Sequence, residues 1–305
     1  MAIDTVKVTV NGTTVTATHK EGNTYEASLA APSVTSYNVN SGHYYPVTVV
    51  ATNKAGTSTT VNDQTSGVGT SCRLKVKELT APTITISAPT SGQSLSTSTP
   101  NIKINVTDAA NGSGVAISTL KIIVDDTTYI NTSNNCTVTT VTNGYSITCV
   151  PDVLADGNHN LQVEVADNDG NKATSSKVTF TTDTVAPTLS VTNPSTNDTY
   201  VASATLSVTG TASDSTSGVP TVKITLNGTD QGSVTVSNGA FNKSVTLVEG
   251  NNTIVITATD KAGKVTTVTR TIILDTSAPI IASVVINPNP VNIGEMYTVT
   301  ISVTE

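Results

Sequence analysis

Residues 254–263 read IVITATDKAG, and the same pattern stands at 47–56 as VTVVATNKAG and at 161–170 as LQVEVADNDG. Nine, seven and five residues before the closing glycines Gly56, Gly170 and Gly263, the side chains are apolar: Val47, Val49 and Ala51, then Leu161, Val163 and Val165, then Ile254, Ile256 and Ala258. Successive side chains of a strand point to opposite faces, so apolar residues spaced by two mark one face laid on a core. Three residues before each glycine stands Asn53, Asp167 or Asp260, a side chain that favours turns by bonding its own backbone. The three stretches are one strand and turn repeated, the turn joining the last two strands of a unit.

Outward from each turn runs a Thr- and Val-rich strand that ends at Ala81-Pro82, Ala186-Pro187 or Ala278-Pro279. Proline fixes its own φ and holds the residue before it extended, so these junctions are short, stiff linkers. They divide the chain into immunoglobulin-like domains at 1–79, 80–184 and 185–277, with a partial domain at 278–305. VTDAANGSGV at 106–115 and TASDSTSGV at 211–219 lie equally far beyond successive junctions and read as equivalent loops. Asn11-Gly12, Asn143-Gly144, Asn227-Gly228 and Asn238-Gly239 add hairpin turns at the spacing of seven-stranded sandwiches. The expected fold is all-β: tandem immunoglobulin-like β-sandwiches in an elongated rod on the order of 100 Å long, from about 3.3 Å per strand residue.

Composition agrees. Of 305 residues 36% are hydrophobic and only 3% aromatic, with no tryptophan, which suits several thin Val/Ile/Leu cores better than one large one. The formal charge of −7 argues against a nucleic-acid partner. No apolar run reaches the length of a membrane span, and Met1 leads directly into the strand pattern Val6, Val8, Val10, so neither membrane insertion nor a signal peptide is expected.

Candidate sites are few. Asp108, Asp167 and Asp169 in the second domain, and Asp214 and Asp260 in the third, fall in loops that meet at the pole facing the preceding linker. Asp183 and Asp275 in the linkers can join them. Clustered carboxylates and loop carbonyls suit calcium, whereas solvated turns account for the same residues, and Asn53 stands where the first domain would need an acid. Cys136 and Cys149 flank an expected hairpin whose Val141-Thr142-Asn143-Gly144 loop sets them opposite one another. That admits a cross-strand disulfide, and two reduced thiols used as small apolar residues is the other reading. Cys72 has no evident partner. His19, His43 and His159 lack ligand spacing and a nucleophile motif and read as exposed loop or edge residues, and Asp125-Asp126 as a solvated pair at a strand end. Asn-x-Ser/Thr triplets at Asn105 and Asn131 are expected by chance in so Thr-rich a chain. In the tail, strands at 282–286 and 297–303 carry Val284, Ile286, Val299, Ile301 and Val303, and are expected to dock on an exposed edge of the third domain or of another subunit.

MAIDTVKVTVNG (1–12), SGHYYPVTVVATNKAG (41–56), SCRLKVKELTAPTITI (71–86), LADGNHNLQVEVADNDGN (154–171), LVEGNNTIVITATDKAG (247–263) and the ending VVINPNPVNIGEMYTVTISVTE (284–305) occur in that order. Together they resemble the multi-immunoglobulin-domain proteins encoded with tail genes in phages and prophages of Gram-positive bacteria. The resemblance implies a non-enzymatic virion component on the tail or its tip, assembled in the host cytoplasm and present in many copies. It would be joined to other tail proteins through the C-terminal segment and would display its domains for weak binding to host-surface glycopolymers. It supplies no catalytic residue. Two further readings are a bacterial surface stalk or adhesin, and a carbohydrate-binding accessory module. The second needs exposed aromatic platforms, for which Tyr44-Tyr45 is the densest candidate.

Overall fold

The computed structural model describes residues 2–130, 135–218 and 220–305, so Met1, the Asn131 triplet and Val219 lie outside the described residues. The regular elements among them are strands, apart from two single turns of 3-10 helix at Ser36–Asn38 and Gly69–Cys72. The chain forms two compact units, residues 1–93 with 97–181, and residues 94–96 with 182–305.

The first unit begins with one sheet, in the order Thr13–Thr16, Ile3–Val10, Tyr45–Asn53 and Ser58–Val61, with Arg73–Leu74 on the start of Tyr45–Asn53. Asn11 and Gly12 close its hairpin at φ 47° and 78°, the left-handed pair that a tight two-residue turn requires. The other sheet of this segment is the small pair Thr18–His19 and Tyr25–Glu26, so residues 1–79 depart from the expected pair of full facing sheets. Tyr25, Ala27 and Leu29 are half-buried and alternate with exposed neighbours, but only Tyr25–Glu26 of that stretch is strand. Val47, Val49 and Ala51 are half-buried, and just before them Tyr44 and Tyr45 are 9% and 5% exposed. The Tyr44 hydroxyl donates to Asp63 Oδ2 at 2.8 Å, that of Tyr45 to the Val34 carbonyl at 3.1 Å, and the Arg73 guanidinium lies 4.8 Å from the Tyr44 ring centre.

Residues 83–93 and 97–181 of the same unit carry two sheets. One runs Cys136–Val141, Gly144–Cys149, Ile102–Thr107, Thr83–Ala88. The other contains Thr127–Ile130, Val115–Val124 and Gly157–Asp167, with Lys172–Thr174 beside the last. Ile102, Ile104, Val106, Ile147 and Cys149 on the first sheet, and Ile122, Val124, Leu161 and Val163 on the second, are almost wholly shielded from water. Gly144 starts its strand so close to the next that a Cβ would stand 1.9 Å from the Val106 carbonyl oxygen, so no larger residue fits there. Cys136 and Cys149 are register partners joined by a disulfide, and Cys72 is a buried free thiol.

The second unit holds a sandwich over residues 188–274. Thr188–Asn193, Thr205–Ser213, Ala240–Thr246 and Val236–Ser237 make one sheet, and Thr199–Val201, Val265–Leu274, Gly250–Thr259, Thr221–Leu226 and Thr229–Asp230 the other. Ile254, Ile256 and Ala258, the residues on which the repeat was recognised, are fully buried in a core with Val208, Ile224, Phe241 and Ile272. Ile280–Asn287 and Thr298–Thr304 then pair with each other, placing Ile286 opposite Val299 and Val284 opposite Ile301. Every residue of this hairpin is exposed, so the expected docking of the tail on the edge of the third domain is not what the structure has.

Three consequences can be measured. Ile256→Ala should cost roughly 2–5 kcal/mol of unfolding free energy in urea titration, and Val49→Ala, at the equivalent but half-covered position, less than half as much. The Tyr44 hydroxyl, first, and the Gln64 amide hold the Asp63 carboxyl below its usual range, and the same bond raises the tyrosine. A carboxyl depressed in the folded state stabilises above its unfolded pKa and ceases to do so as pH falls through the folded one. Asp63→Asn should therefore melt lower than the parent at pH 7, and the gap should close below about pH 4. Opening the disulfide, which spans 13 residues, by Cys136→Ser with Cys149→Ser should lower stability by about 2–4 kcal/mol. One thiol, Cys72, should react after denaturation without reductant, and three with it.

Candidate metal centres

The repeated turn is built identically in all three places. The N–H of Asn53, Asp167 or Asp260 donates to the carbonyl four residues on, at 3.0–3.1 Å. Its Oδ1 accepts the N–H of that same residue at 2.8–3.0 Å. The second carboxylate oxygen of Asp167 accepts from Asn171 Nδ2 at 2.6 Å, and that of Asp260 is buried without a donor.

In the first unit Asp167 meets Asp108 and Glu78, with one carboxylate oxygen from each lying within 4.8 Å of the others. Asp108 follows the strand Ile102–Thr107, and its oxygens accept the N–H groups of Ala109 at 2.8 Å and Gly114 at 2.7 Å. Glu78, in the linker, accepts the Ser113 N–H, and its own carbonyl accepts from the Asn171 amide at 3.1 Å. Gly112 packs against the pair so tightly that a Cβ would lie 2.6 Å from Asp108 Oδ2 and 2.9 Å from Glu78 Oε2. Asp169 stands apart from the three. It accepts from the Thr35 hydroxyl and the Glu78 N–H, while Asn38 Nδ2 donates to the Gly112 carbonyl at 2.8 Å, so it clips the linker instead of facing the cluster.

In the second unit Asp183, Asp214 and Asp260 stand in the same three positions, again within 4.8 Å. Asp183 is wholly buried, its N–H on the Leu95 carbonyl at 2.8 Å, Oδ1 accepting Val185 N–H and Oδ2 accepting Ser217 N–H, both at 3.2 Å. Asp214 uses Oδ1 alone, for the N–H groups of Thr216, Ser217 and Gly218 and the Ser217 hydroxyl. Burial raises the Asp214 carboxyl, but these donors, the Ser217 N–H foremost, outweigh it and hold the group below its usual range. Asp260 is 6% exposed, and its Oδ2 is buried with no donor. Asp275 is not in either cluster; its Oδ1 accepts the Ser277 N–H at 3.1 Å.

Glu78 is the residue that sequence reading missed. The signal was present, since Glu78, Asp183 and Asp275 each stand four residues before a linker proline, at Pro82, Pro187 and Pro279. His159 also departs from expectation. It is buried, with Nδ1 2.7 Å from Asp125 Oδ2, Nε2 2.9 Å from the Ala155 carbonyl and its ring on Phe180. Both ring nitrogens are engaged by the fold. Asp126 is ion-paired with Lys177. Tyr44 and Tyr45, being buried, offer no sugar platform. An open hollow of about 720 Å³ beside Val115–Val124 has Lys121, Glu164 and Lys172 as its charged lining.

Residues 78–184 match the family model described as bacterial Ig-like domain, and residues 187–276 that of glucodextranase, domain B. No curated protein matches the chain. Among solved structures it is similar to the fibronectin(III)-like modules of Clostridium thermocellum CbhA, at 23% identity over 63% of this chain and 94% of that one, with a TM-score of 0.42. It is also similar to extracellular domains 3–5 of Drosophila OTK, at 14% identity over 89% and 85%, with a TM-score of 0.36. With its sheets and the bacterial Ig-like match taken together, the chain is a protein of several immunoglobulin-like domains.

Proposed function

We propose that this protein is a non-enzymatic component of a tailed-phage particle, on the tail or its tip, which displays immunoglobulin-like domains in many copies for weak attachment to host-surface glycopolymers. The ordered run of segments from MAIDTVKVTVNG to TVTISVTE, similar throughout to tail-encoded multi-immunoglobulin proteins, carries this reading. It is supported by side-chain chemistry. Among the described residues the buried carboxylates gather in two clusters, His159 is taken up by Asp125 and the Ala155 carbonyl, and the one free thiol, Cys72, is buried. Weak surface contacts become useful when many copies act together, which a particle supplies. The tail hairpin, with Val284, Ile286, Val299, Ile301 and Val303 uncovered, is the segment offered to neighbouring subunits.

A second reading, an accessory module of a carbohydrate-active enzyme, is favoured by the glucodextranase domain B match at 187–276, where Tyr200 is exposed. Gold-labelled antibody against residues 188–274, applied to purified particles from a lysogen carrying the gene, separates the two. Label on the tail is expected. Particles without label, together with binding of the purified chain to a glycan array that Tyr200→Ala abolishes, would overturn the virion reading in favour of the second.

A further inference from the structure

The Asp183, Asp214 and Asp260 cluster presents a charge problem that protein groups leave unsolved. Three carboxylates converge within 4.8 Å, two of them buried, and among the described residues no lysine or arginine is ion-paired with any of them. Like charges so close oppose one another, and Asp260 Oδ2 is buried without a donor. Two oxygens bound to one calcium ion stand at most about 4.6–5.2 Å apart, since each lies about 2.3–2.6 Å from the metal, so three oxygens within 4.8 Å of one another are close enough to share one ion.

The hairpin turn does not require the acid. Asn53 makes the same turn with a neutral side chain, its Oδ1 accepting the N–H groups of Ala55 and Thr57. The carboxylate at Asp260 therefore answers to something other than backbone geometry, and it stands where a linker acid and a loop acid converge on it, whereas Asp167 Oδ2 already accepts from Asn171 Nδ2 at 2.6 Å. The first two positions occur once more: Asp275 stands four residues before Pro279, and Glu305 directly follows Thr298–Thr304 as Asp108 follows Ile102–Thr107.

We propose that Asp183, Asp214 and Asp260 bind one divalent cation of the calcium class. The ion would join the linker acid to two loops of the repeat that follows, and so order residues 183–187 on their sandwich. This holds whether or not the protein belongs to a virion.

The test uses the full chain stripped with chelator and dialysed against radiolabelled calcium. The parent is expected to bind one ion per chain more than Asp260→Asn, and as many as Asp275→Asn. Calcium should raise the melting temperature of the parent more than that of Asp260→Asn. Asp260→Asn keeps the Oδ1 acceptor for Lys264 as Asn53 does for Thr57, so it should fold, which circular dichroism checks; Asp183→Asn is the second variant for the same site. Absence of calcium binding by the parent, or as many ions bound by both Asp260→Asn and Asp183→Asn as by the parent, would overturn the proposal.

Discussion

A strand with one apolar face needs something to cover it, and the structure varies mainly in how that need is met. In residues 83–182 and 188–274 the cover is a second sheet, and the inward residues reach full burial. In residues 3–74 the same strand positions reach only half-burial, and the two buried tyrosines just before them bond Asp63 and the Val34 carbonyl. In residues 280–304 both strands are exposed throughout. Apolar area removed from water contributes roughly 25 cal/mol per Å², so stability should be highest in the two-sheet segments and lowest in the tail.

The repeat was legible because periodicity and turn chemistry are local. Ile254, Ile256 and Ala258 declare a buried face, and Asp260 with Gly263 declares a turn, from spacing alone. What covers the face is not local. Val47, Val49 and Ala51 have the same spacing as their counterparts, yet nothing in that spacing says that the first segment lacks a second sheet. Tyr44-Tyr45 reads from the sequence as an exposed platform, and only the positions of Asp63 and Val34 draw both hydroxyls into the fold. His159 was misread for the same reason, since its partners Asp125 and Ala155 lie on other segments.

The carboxylates were legible in kind and only partly in grouping. Asp108, Asp167, Asp183, Asp214 and Asp260 converge as loop topology requires, whereas Asp169, two residues from Asp167, turns away to bond Thr35 and Glu78. Neighbours in sequence just after a strand point in different directions, so proximity along the chain is a poor guide to shared ligation. Glu78 was passed over because the turn-based reading sought aspartate, the better turn former. A linker acid needs only a carboxylate within reach, and glutamate supplies that with one more methylene.

The location of these clusters follows from saturation elsewhere. Inside a sandwich, backbone donors and acceptors are used by the ladders and the inward side chains are apolar, so neither face can hold a group of like charges. At the pole, loop N–H groups are still available. Ser217, Thr216 and Gly218 turn theirs onto Asp214, and Ala109 and Gly114 onto Asp108. The donors at Asp214 hold its carboxyl below its usual range without neutralising it, while the stiff Ala-Pro junction delivers the linker acid Asp183 to the same point. The junction before residues 188–274 is thus a place where a cation could be held by the fold as it stands.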